Sequence, residues 1–103
     1  MKLIYAKDRY IADDTMAIRT YTDEEGWLEP YGDVTVCLAD YGLKPAEGHI
    51  YMPTYKMTPD YANQIIDDIV DEIIGEVRIG YGTGLYVKLK DNWTDNVQMM
   101  EFF

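Results

Sequence analysis

Five carboxylates crowd into ten positions of this chain: Asp67, Asp68, Asp71, Glu72 and Glu76. Asp60 precedes them, and no Lys or Arg falls between Lys56 and Arg78. These six supply more than half of a formal net charge of -10. Carboxylates without interleaved bases can keep a small protein soluble, attract a basic partner, or hold a divalent cation. A calcium site needs oxygen ligands wrapped by a loop, and the spacing here is helical. The first two roles therefore lead, and no metal is expected.

Other chemistry-bearing residues are sparse. His49 is the only histidine and Cys37 the only cysteine. A Cys–His nucleophile needs the two side chains in contact and a third group to orient the base. Cys37 falls in a strand-like run, so a packed pair is the simpler reading. One Cys and one His are too few for zinc. Gly80-Tyr81-Gly82-Thr83-Gly84 looks like a phosphate loop, but such loops open a helix and these glycines precede a strand pattern. A tight turn or bulge fits them better. Adjacent acids recur at Asp13-Asp14, Asp67-Asp68 and Asp71-Glu72, yet glycosidase chemistry needs two acids facing each other across a cleft. Asp91, Asn92, Asp95 and Asn96 lack the alternate spacing and closing Glu of an EF-hand loop. Trp27, Tyr31 and Trp93 could form a recognition surface, with structural use in a sheet the simpler alternative.

The carboxylates need an element to present them. Residues 58–75 read as an amphipathic helix. Thr58 is placed to cap it, Pro59 to occupy its first position, Asp60 to meet the dipole and Gly75 to stop it. Apolar doublets (Tyr61-Ala62, Ile65-Ile66, Ile69-Val70, Ile73-Ile74) alternate with polar ones, giving one apolar and one acidic face. Asp67/Asp71 and Asp68/Glu72 then become like-charge i,i+4 pairs, each costing about 0.2–0.5 kcal/mol. The β-branched residues are mediocre helix formers, so packing on a sheet must stabilise the helix.

Residues 2–6 and 15–22 read as a hairpin around Asp13-Asp14. An acidic turn follows at Asp23-Glu24-Glu25-Gly26, and residues 27–32 read as an irregular link. Residues 33–38 form the clearest strand pattern, with Val34, Val36 and Leu38 opposite Thr35 and Cys37. A loop leads to a short strand at 49–52. After the helix, 76–84 is a glycine-rich loop or short strand. Residues 84–90 are a strong strand, and 97–103 a final strand or ordered tail. The fold class is α+β, a small antiparallel sheet packed on one amphipathic helix at 58–75, in a single domain over 1–103.

At 103 residues and 48% hydrophobic, the chain can bury one core and is not disordered. Its acidity argues against direct nucleic-acid binding and against anionic membranes. A lone cysteine excludes an intrachain disulfide framework. No apolar run has the length of a signal peptide or a membrane span, so a cytoplasmic location is expected. The ten tyrosines suit sheet surfaces and interfaces.

Residues Glu29-Pro30-Tyr31-Gly32-Asp33-Val34-Thr35-Val36-Cys37-Leu38 resemble the uncharacterised domain-of-unknown-function family 4313. Its members are similar in carrying Glu-Pro-Tyr, a spacer, then Thr-Val-x-Leu, and Met16-Ala17-Ile18-Arg19 is similar to an Ala-Ile strand there. The resemblance covers about a third of the chain. It implies a bacterial protein, often carried near mobile elements, and implies no activity.

The expected function is non-enzymatic, without cofactor: an acidic surface at Asp67, Asp68, Asp71, Glu72 and Glu76 presented to a basic protein partner. A DNA mimic is its sharpest form. Four charges over five helical steps of ~1.5 Å approach the one charge per ~1.7 Å of B-DNA. The alternatives are a homo-oligomer assembled through Tyr-rich strand edges or the Met99-Met100-Glu101-Phe102-Phe103 tail, and a small-ligand binder or enzyme. Lys88 and Lys90 discriminate: if they fold against the acidic face, they relieve it and weaken the functional reading.

Overall fold

The computed structural model describes residues 2–80 and 82–100. The chain is α+β, with seven strands in two sheets and one α-helix among the described residues. Strands β1 (Ile4–Arg9), β2 (Met16–Glu24) and β3 (Trp27–Asp33) form an antiparallel meander. The short β7 (Gln98–Met99) adds to β1 in parallel, giving the order β3-β2-β1-β7. The second sheet has the order β4-β6-β5, from β4 (His49–Met52), β5 (Val70–Ile79) and β6 (Gly82–Leu89). The expected single antiparallel sheet is thus two sheets, one of them mixed.

Helix α1 (Pro59–Ile69) begins as its sequence requires: the Thr58 hydroxyl accepts from the Tyr61 amide at 3.3 Å, with Pro59 in the first turn. It ends six residues before the expected stop at Gly75. Val70 is already extended, and β5 follows without a loop. The cause lies in the doublets. The β5–β6 register shifts between Val70 and Glu72 and again between Ile73 and Gly75. Each bulge inserts one extra residue, so Asp71-Glu72 and Ile73-Ile74 imitate helical spacing inside a strand. The β-branched composition favours that outcome.

Tyr5, Ile18, Val34, Ile50, Met52, Ile65, Ile69 and Val87 are fully buried in a main core shared by both sheets and the helix. A smaller cluster of Leu38, Tyr51 and Ile79 lies apart from it, with Val36, Val77 and Tyr86 packed against it. Residues 33–38 are not the expected strand, apart from Asp33 at the end of β3. They run between the sheets: the Val34 amide donates to the Ile18 carbonyl of β2, and the Val36 amide to the Tyr51 carbonyl of β4. Residues 27–32, expected as an irregular link, belong to β3 instead. The β2–β3 turn lies at Glu25-Gly26, both in the left-handed region, with the Gly26 amide held by the Asp23 carboxylate at 3.0 Å. Of the expected tail, Glu101, Phe102 and Phe103 lie outside the described residues, as does Tyr81 of the glycine-rich run.

Candidate protein-binding surface

The end of α1 and the start of β5 carry the five carboxylates, but on different elements. Asp67 and Asp68 belong to the last helical turn, while Asp71, Glu72 and Glu76 belong to β5. The expected i,i+4 repulsions therefore do not form. Nor does the helical charge spacing hold: a strand rises ~3.3 Å per residue against ~1.5 Å in a helix. Along β5 the three acids Asp71, Glu72 and Glu76 are therefore spaced more widely than phosphates along B-DNA.

Their environments differ. The Tyr5 hydroxyl donates to Asp68 Oδ2 at 3.0 Å. Burial raises the Tyr5 hydroxyl well above the usual tyrosine range, and the Asp68 charge adds to the rise. Lys90 reaches the helix end, where its Nζ donates to the Asp67 carbonyl at 2.7 Å and lies 3.5 Å from the Asp68 carbonyl. That ammonium satisfies carbonyls left free by the last turn and offsets the dipole. Lys88 pairs with Glu72 across the β5–β6 ladder. The relief that would weaken the functional reading is therefore present at the helix end, while Lys88 stands opposite Glu72 in the ladder without an ion pair between them among the described residues. It is incomplete. Among the described residues the ion pairs are Arg9–Asp14 at 3.7 Å and Arg19–Asp33 at 3.5 Å, and neither involves the five carboxylates.

Strand β5 is an edge of its sheet, bonded to β6 on one side. Residues 71–74 and Glu76 are exposed, including Ile73 at 49% and Ile74 at 48%. Charges and bulges on an open edge also hinder indiscriminate strand pairing.

The other sequence candidates separate in space. The Cys37 thiol faces Asp13 Oδ2 at 3.6 Å, and the Thr15 hydroxyl on Asp13 holds that carboxyl below the usual range. His49 Nδ1 lies 2.9 Å from the Glu47 carbonyl, and its ring stacks on Tyr86 with centroids 5.3 Å apart. Cys37 and His49 line different clefts. Gly80 has φ +57° in the β5–β6 connection, and a Cβ at Gly84 would come within 2.5 Å of the Met52 carbonyl oxygen. Those glycines serve a turn and a close strand contact. Tyr10, Tyr31, Asp33, Lys56 and Tyr61 line a cleft of about 550 Å³. There Tyr10 bonds Thr35, Tyr61 bonds Thr20 and Asp33 pairs with Arg19, so these groups turn toward protein partners.

The three aromatics divide. Trp93 is buried, edge-on to Tyr5 with centroids 6.2 Å apart. Tyr31 is 43% exposed and leans on Tyr61. Trp27 is 76% exposed. Composition alone marked all three; the acidic, turn-rich flank of Trp27 was the signal that could have set it apart. No protein-family model, curated protein or solved structure matches this chain.

Proposed function

We propose that this chain is a non-enzymatic binding protein that presents Asp67, Asp68, Asp71, Glu72 and Glu76 to a basic protein surface. The supporting observation is the absence of any ion pair on these five carboxylates among the described residues, at the junction of α1 with an open strand edge. Such a surface steers a cationic partner over a distance set by salt. Membership of the uncharacterised family 4313, with its bacterial and mobile-element setting, belongs to the same proposal and rests on residues 29–38.

The test is a pull-down at low salt with three baits. These are the wild type, a variant with the four Asp and Glu residues of 67–72 changed to Asn or Gln, and a variant carrying Asp67→Lys, Asp71→Lys and Glu76→Lys. The Lys variant keeps the β5 edge charged and so separates loss of binding from self-association. A basic protein retained by the wild type alone, and released as salt rises, is the expected result. Identical recovery on all three baits, or no basic protein at low salt, rejects the reading. Displacement of the captured protein by duplex DNA would favour the DNA-mimic form; retention in the presence of DNA would remove it.

A further inference from the structure

Strand β3 is exposed along its length apart from the half-buried Gly32, and it forms the open edge of the first sheet. It carries Trp27 at 76%, Leu28 at 48% and Tyr31 at 43% exposure. Scattered apolar residues on a surface need no explanation, but here three fall within five positions of one open edge strand. Trp and Tyr are also the residues that anchor protein interfaces. Around them stand Asp23, Glu24, Glu25, Glu29 and Asp33. Only Asp33 has an ion-pair partner among the described residues, in Arg19.

We infer that the β3 edge is a docking site for an extended, arginine-bearing segment of a partner protein, laid beside residues 27–31. Three observations select that occupant. A guanidinium stacks on an exposed indole or phenol face and bonds a neighbouring carboxylate with the same planar group, and residues 24–31 offer both. An extended segment is favoured because the edge has unpaired backbone groups for it. A second copy of this chain is disfavoured because it would bring another net charge of -10 to an edge already flanked by Glu24, Glu25 and Glu29. Pro30 limits the ladder, since it has no N–H to donate. Backbone pairing is therefore short, and side-chain contacts at Trp27 and Tyr31 must supply the selectivity. This edge belongs to the other sheet from β5, so the inference stands independently of the function proposed above.

The test is titration of a synthetic six-residue peptide alternating Arg and Val, followed by tryptophan emission and calorimetry. Trp93 is buried, so Trp27 dominates any change on binding. The expected result is a saturable blue shift, weakened by salt, with affinity reduced roughly tenfold or more by Trp27→Ala. Affinity should also fall in Glu25→Gln/Glu29→Gln. Circular dichroism establishes that the Trp27 variant is folded, and the Glu variants keep the test decisive if it is not. An absent shift, equal binding by Trp27→Ala, or equal binding of a Lys–Val peptide overturns the proposal. So does a wild-type solution mass that doubles with concentration and is indifferent to peptide, which would assign the edge to a second copy.

Discussion

Tyr5 shows how far one side chain can tie the acidic end of the helix to the core. Its ring is buried in the main core and packs against Trp93, while its hydroxyl emerges to hold Asp68. Removing that hydroxyl in Tyr5→Phe should cost about 1 kcal/mol, a modest figure because the partner carboxylate is only half-buried. The same group sets an alkaline limit. An unfolded tyrosine releases its proton near pH 10, and burial holds Tyr5 above that value in the fold. The stabilisation is complete below about pH 10 and is lost as pH rises through the folded value, because the unfolded chain ionises first. Tyr10, Tyr51 and Tyr61 are raised chiefly by burial and act with the same sign. Urea midpoints should therefore hold from neutrality to about pH 9 and fall above pH 10. Tyr5→Phe should start lower and fall less steeply; an identical slope in the variant would remove Tyr5 from this account.

At the scale of elements, the two ends of the helix were unequally legible. Its start rests on local chemistry, Thr58 and Pro59, which acts wherever the chain goes next. Its end depends on pairing with β6, a partner distant in sequence, and the two bulges disguise the strand as helical doublets. The exchange of roles between 27–32 and 33–38 has a similar origin. Alternation at Val34, Val36 and Leu38 suggests a strand, but it does not say whether the amides meet one ladder or two sheets, and here they meet two. The glycine run was legible as turn chemistry because a positive φ is a local demand. For the acidic surface, the five residues were readable and their arrangement was not, since it follows from where α1 stops. Their place on β5 leads to a further expectation. With Asp71→Asn, Glu72→Gln and Glu76→Gln, Ile73 and Ile74 remain on an open edge without charges to guard it. Sedimentation should show association rising with concentration in that variant and not in the wild type. Monomeric behaviour of both would mean that the bulges alone protect the edge.

For the molecule as a whole, charge and packing are organised separately. The sequence pI is about 4.3, while the buried interior is almost entirely apolar, with Thr20 and Thr35 the buried polar residues among those described. Both hydroxyls face partners: Thr20 meets Tyr61, and Thr35 meets Tyr10 while accepting the Ile18 amide. Each couples segments distant in sequence, so the polar contacts of the interior specify which segments meet. The segment that passes between the sheets adds the same kind of coupling along the backbone. Val34 is held by one sheet and Val36, two residues later, by the other. A chain joined this way cannot release one sheet and keep the other's cover intact. Cooperativity follows from a stitch of three residues: the Val34 and Val36 amides should exchange with solvent at one common rate, set by opening of the entire protein. Two well-separated rates would reveal sheets that open on their own, and the stitch would then be slack.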